Sequence, residues 1–152
     1  MRRSSAALAA GQWQGSSSDA VVLDYEARHR RRTVLRCISG REVLLDLPVA
    51  VQLHDGDALQ LDDGSYVEVR AAAEPLLELR TASPAELTRL AWHLGNRHVA
   101  AELGDRWLRI RPDHVLADLA VRLGATVEPV SAPFEPEAGA YAAHAHAPLR
   151  AP

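Results

Sequence analysis

Histidine is the residue type with which this chain can do chemistry. His93, His98, the pair Asp113-His114 and the run His144-Ala145-His146 offer imidazole nitrogen and carboxylate oxygen, with no thiolate near them. Neutral imidazole is the commonest protein ligand for late first-row metals and suits nickel, copper and zinc. Spacing alone leaves each histidine a plainer reading. His93 also suits the last turn of a helix, His98 the start of a strand, His114 an ordinary first helical turn, and His144-Ala145-His146 a solvated chain end. His29 and His54 fall beside turns and read as surface residues.

Other chemistries drop out by absence. All 17 basic residues are arginine, so neither a phosphate-binding loop ending in lysine nor a lysine Schiff base can form. Cys37 is the one cysteine, which excludes an intrachain disulfide or a Cys-x-x-Cys pair and fits a reducing, cytoplasmic compartment. No His-Glu-x-x-His helix and no Gly-x-Ser-x-Gly elbow is present, which argues against a metal-dependent hydrolase. Asp55-Gly56-Asp57 and Asp62-Asp63-Gly64 are turns whose oxygens are out of register for a calcium loop. The formal charge is −3, which gives no global field for nucleic acid. The run Arg28-His29-Arg30-Arg31-Arg32 reads as a solvated hairpin turn or a patch for an acidic protein partner. No apolar run approaches the roughly 20 residues that cross a bilayer.

The elements that must position the histidines follow from pattern. With 152 residues, 47% apolar and 24% charged, the chain can bury a core, as one large domain or two small ones. Residues 1–18, ending in three serines, read as a disordered leader. From Asp19 to residue 74 short runs rich in β-branched and apolar residues alternate with turns: Val21–Tyr25, Thr33–Ile38, Glu42–Leu47, ended by Pro48, then Ala58–Leu61 and Tyr66–Val69. This half is expected to be all-β. After the break at Glu74-Pro75, Leu76–Arg80 reads as strand. Ser83-Pro84-Ala85-Glu86 then supplies an N-cap, a first-turn proline and a capping-box glutamate. Leu87, Leu90, Ala91 and Leu94 form one helical face, stopped by Gly95. Val99–Leu103 and Arg106–Ile110 are strands joined at Gly104-Asp105. Asp113 caps a second helix with Leu116, Leu119, Ala120 and Leu123 on its face and Gly124 as its stop. Thr126–Val130 is a last strand, placed at an edge by Pro129.

The order β-α-β-β-α-β is the split, ferredoxin-like arrangement, so the fold class is α+β. If the first of its strands runs up, the first helix brings His93 and His98 down, and the hairpin returns the chain so that Asp113 and His114 open the second helix at the same end. Three imidazoles and a carboxylate are thereby expected at one end of the domain spanning 75–142. Residues 143–152 are a tail carrying His144 and His146. The two strands of the hairpin hold Trp107 but lack the stacked aromatics of an RNA-binding sheet, so no nucleic-acid partner is expected.

Several segments carry a family resemblance. Trp92-His93-Leu94-Gly95-Asn96-Arg97-His98-Val99 resembles the signature of the UreE urease accessory proteins, the nickel metallochaperones of urease maturation. Asp113-His114-Val115-Leu116-Ala117-Asp118-Leu119 and Pro133-Phe134-Glu135-Pro136-Glu137-Ala138-Gly139-Ala140-Tyr141 resemble segments of the same family at the expected separations. Gly40-Arg41-Glu42-Val43-Leu44-Leu45-Asp46-Leu47-Pro48 and His54-Asp55-Gly56-Asp57 resemble its N-terminal domain. The resemblance implies an N-terminal β-domain similar to a co-chaperone peptide-binding domain, a C-terminal ferredoxin-like metal domain and a homodimer. It implies a shared Ni(II) held by His98 of each subunit, further ligands from His144 and His146, and auxiliary ones from His93 and His114. Zn(II) and Cu(II) would compete in vitro. The implied partners are other urease accessory proteins, including the GTPase UreG, and the urease apoprotein complex; the implied function is delivery of nickel to that complex, the other reading being a general Ni/Zn/Cu storage or interaction module. Two departures stand out: the tail has two histidines rather than a polyhistidine run, and Pro112 occupies a position where some members have histidine.

Overall fold

In the computed structural model residues 1–138 are described, and they fold as two compact units, Met1–Ala72 and a second that begins at Ala73. The first comprises β1 (Arg2–Leu8), β2 (Asp19–Leu23), β3 (His29–Arg36), β4 (Glu42–Gln52), β5 (Ala58–Leu61) and β6 (Tyr66–Ala71). They form one sheet in the order β2-β6-β5-β1-β4-β3. Alternation along the strands sends Val21, Leu35, Val43, Leu45, Leu59, Leu61, Val67 and Val69 into a shared core.

Residues 1–18 are not a disordered leader. Arg2–Leu8 lies in the middle of the sheet, parallel to β4 with Arg3 opposite Leu44, and antiparallel to β5 with Ala7 opposite Leu59. The residues that follow are tied down as well. The buried Asp57 carboxylate accepts the Ala10 N–H at 3.1 Å and the His54 N–H at 2.8 Å, and the Trp13 indole donates to the Gly56 carbonyl at 3.1 Å. Composition hides this strand because alanine and serine have little β preference; backbone partners on both sides supply what propensity lacks.

Two further expectations change in this unit. β4 runs through Pro48 instead of ending there, because its pairing with β3 jumps from Arg32↔Asp46 to Arg30↔Val51. Within that bulge Pro48 owes the ladder no N–H. The arginine run is not a solvated hairpin turn. Arg28 is 1% exposed, its Nε donating to the Leu53 carbonyl at 3.1 Å and its Nη1 to that of Leu23 at 3.1 Å. His29 to Arg32 then open an edge strand.

The second unit runs β7 (Ala73–Arg80), α1 (Pro84–Asn96), β8 (Glu102–Leu103), β9 (Leu108–Ile110), α2 (His114–Arg122), β10 (Thr126–Pro133). Its sheet has the order β10-β7-β9-β8 with every pair antiparallel, the split β-α-β-β-α-β arrangement and an α+β fold. Glu74 and Pro75 lie inside β7, so the units divide just ahead of them. β10, with Pro129, is an edge strand. The Ser83 hydroxyl accepts the Glu86 N–H at 3.2 Å and starts α1. Leu87, Leu90 and Leu94 then pack against Leu79, Leu108 and Ile110, each leucine contributing about 2 kcal/mol by leaving water. In α2 the Asp113 carboxylate caps the helix by accepting from Val115 and Leu116 at 2.9 and 3.1 Å.

The hairpin is longer than Gly104-Asp105. Leu103 pairs with Leu108 and Glu102 with Arg109, leaving Gly104 to Trp107 as the loop. A Cβ on Gly104 would lie 2.2 Å from the Trp107 ring, and that ring lies against the Arg109 guanidinium, 4.1 Å from its centroid. The indole thus covers Gly104, where any side chain would collide with it.

Glu78, 7% exposed, sits between Arg80 at 2.9 Å and Arg109 at 3.0 Å. Burial pushes its carboxyl pKa up, but the hydrogen bonds and charges of Arg80 and Arg109 outweigh this and hold it below the ordinary glutamate value. The folded carboxyl therefore titrates below the unfolded one. Its stabilisation is in full force above about pH 4.3 and is lost as pH falls through the folded value. Glu78→Gln is expected to cost about 2 kcal/mol at pH 7, limited by the half-exposed Arg80. Thermal melts of the two proteins should converge towards pH 3; a gap that stays constant between pH 7 and pH 3 would contradict the assignment.

Candidate metal site at the end of the first helix

The last turn of α1 is closed by a double hydrogen bond. The His98 N–H donates to the Gly95 carbonyl at 3.1 Å and the Val99 N–H to that of Leu94 at 3.2 Å. This is the Schellman pattern, which places the residue after the cap in the left-handed region. That residue is His98, with φ 56°, the one described non-glycine residue with positive φ. α2 ends the same way: the Gly124 N–H donates to Val121 at 3.0 Å and the Ala125 N–H to Ala120 at 2.9 Å, with Gly124 at φ 88°. At the left-handed position of these two matching hydrogen-bond patterns, glycine stands in one and His98 in the other. Gly95 is not the stop expected of it; the helix continues to Asn96. Nor does His98 begin a strand, because β8 starts only at Glu102.

His98 is exposed, as is His114 at the first residue of α2. His93 is half-buried, its ring edge-on to that of Trp92 at 5.1 Å, and its carbonyl accepts the Arg97 guanidinium at 3.2 Å. The topology sets the end of α1 and the start of α2 at the same end of the domain. Even so, no group of three or more His, Cys, Asp or Glu among the described residues lies close enough to hold a metal ion. The cluster expected from topology thus does not close within one chain, and Asp113 is occupied with capping. His144 and His146 lie outside the described residues.

One feature escapes sequence reasoning. After β10 the chain passes to the opposite edge of the sheet, where the Glu135 N–H donates to Glu102 Oε1 at 3.0 Å and the Glu137 N–H to the Ala101 carbonyl at 2.9 Å. Phe134 is fully buried along the way. The buried aromatic between prolines is its one signal in the sequence.

The described residues define a class: an α+β protein of two domains that leaves His98 and His114 on exposed surface. Residues 3–72 match the sequence model of the UreE urease accessory protein N-terminal domain, and residues 74–150 that of the C-terminal domain. A urease accessory protein UreE of Bradyrhizobium sp. (strain ORS 278) is 50% identical over 147 residues, covering 97% of this chain and 70% of that one. That of Rhodopseudomonas palustris (strain BisB18) is 53% identical over 131 residues, 86% of this chain and 62% of the relative. That of Rhodobacter capsulatus is 46% identical over 154 residues, 98% and 96% respectively. The chain belongs to the UreE family of urease accessory proteins; it is an accessory protein and not an enzyme.

Proposed function

We propose that this protein is a nickel metallochaperone, binding Ni(II) as a homodimer and delivering it in the cytoplasm to the urease maturation complex, with UreG and the urease apoprotein as partners. His98 of each subunit holds the shared ion, His144 and His146 add ligands, and His93 and His114 serve as auxiliary donors. The observation that carries this reading is His98 in a left-handed position that its sister helix fills with glycine. A side chain kept where glycine costs less points to a use for it. Its exposure, with no metal-sized group of three donors among the described residues, suits a site completed by a second copy. Trp92, 63% exposed, and Val115, 62% exposed, lie on the helical layer and offer apolar surface for that copy to cover.

Two imidazoles leave a nickel shell open. Water, tail histidines or partner groups complete it, and an incomplete shell exchanges ligands readily, as delivery requires. Copper binds a given nitrogen and oxygen site more tightly than nickel, so selectivity comes from partners and metal supply.

Calorimetric titration of nickel, with the mass in solution measured alongside, tests the reading. A dimer binding about one or two ions is expected, the tight one weakening as pH falls from about 8 towards 6, because imidazole must be neutral to ligate. A monomer with no tight site, or an affinity constant down to about pH 5.5, would refute it.

A further inference from the structure

β3 forms one edge of the first sheet and pairs with β4 alone. The Cys37 N–H donates to the Arg41 carbonyl, which sets the parity of the ladder: Thr33 and Leu35 turn their N–H and C=O towards β4, while Arg32, Val34 and Arg36 turn theirs outward. The next residue of the outward set, Ile38, gives its N–H to the Ala20 carbonyl at 2.8 Å. Among the described residues no strand lies along the outward side from Arg32 to Arg36.

The side chains of that outward set share the solvent face. Val34 is 50% exposed and Ile38 63%, and Arg32 and Arg36 flank Val34, while Leu35 points into the core. The strand reads His-Arg-Arg-Arg-Thr-Val-Leu-Arg with no acidic residue, in a chain whose net charge is −3. Arg32 shares Asp46 at 3.7 Å with Arg3, which takes it at 2.7 Å. Arg30 and Arg36 have no ion pair among the described residues.

Arginines on an edge strand disfavour pairing with the same strand of a second copy, so the occupant is not another β3. Blocking alone does not need an exposed Val34 between Arg32 and Arg36, with Ile38 exposed beyond them. We propose that β3 is a docking edge for an extended acidic segment of a partner protein, added as a further strand with carboxylates opposite Arg32 and Arg36 and an aliphatic residue opposite Val34. Main-chain hydrogen bonds would give affinity and the alternate side chains specificity. A nucleic acid could use the arginines but neither the backbone edge nor the valine. The surface lies in the other unit from His98, and the proposal stands whether or not nickel binds.

The probe is a fluorescein-labelled peptide with glutamate, valine and glutamate at every second position and threonine between them, about six residues long, a typical strand, added to the full chain. Saturable anisotropy is expected, absent with lysine in place of glutamate, and the amides of Arg32, Val34 and Arg36 should slow in hydrogen exchange. Val34→Pro removes one outward N–H and no bond to β4. Arg32→Glu with Arg36→Glu reverses the charge. Each should weaken binding about tenfold, the change expected for one or two lost charged or main-chain hydrogen bonds. No slowing of those amides in the unaltered protein overturns the proposal, as does full binding by a folded Val34→Pro variant. Equal competition by single-stranded RNA also overturns it, marking the edge as a phosphate patch.

Discussion

Replacing His98 with glycine is expected to abolish the tight nickel site while leaving the fold intact or slightly firmer. Most ligand substitutions confuse lost donors with lost structure, and this one separates them. Glycine enters the left-handed region without steric cost, whereas a side chain there costs up to about 1 kcal/mol. With φ 56° at His98 and a matching end at Gly124, the variant completes a helix stop that the fold already uses. Its melting temperature should hold or rise by a few degrees, about 4 °C for each kcal/mol in a domain of this size. Nickel affinity should fall by about a hundredfold or more, because a shared site loses a donor from each subunit. Circular dichroism melts and calorimetry on the same samples decide it. Unchanged nickel binding would move the site to His93, His114 or the tail; a lowered melting temperature would mean that the imidazole serves the fold.

Deleting residues 1–8 is expected to unfold the first unit. β1 separates β5 from β4, so its loss leaves five strands in two groups with new edges and opens the core beside Leu45, Leu59 and Leu61. The cost is comparable to the whole stability of a small domain, about 5 kcal/mol or more. Amide exchange at Val21, Val67 and Val69, which are fully buried, should become fast in the truncated protein. Protection as strong as in the full chain would show that Arg2–Leu8 is dispensable to the sheet.

What the sequence disclosed depended on which force shaped each element. The helices were legible because local signals agree: Ser83 and Asp113 cap, and leucines recur on one face. The β-α-β-β-α-β order follows from those signals with little tertiary information. β1 was not legible, since nothing local makes Arg2-Arg3-Ser4-Ser5-Ala6-Ala7 a strand; its partners lie some forty or more positions away in the chain. Pro48 misled in the same way, as a bulge set by the partner strand relieved the rule that proline ends a ladder. For the site, histidine type and the Gly-Asn-Arg-His run singled out His98, but not its backbone. The left-handed turn depends on the helix running past Gly95, which no spacing rule foretold.

The strap from Phe134 to Glu137 has a bearing on kinetics. By fastening Glu137 to Ala101, a few residues from His98, it fixes where the chain beyond Ala138 sets out. If nickel binds at His98 as proposed, a donor on the chain that follows would reach it as an intramolecular ligand, at an effective concentration of about millimolar for a short connection. A recipient would then have to compete with recapture by this same chain as well as with the imidazoles.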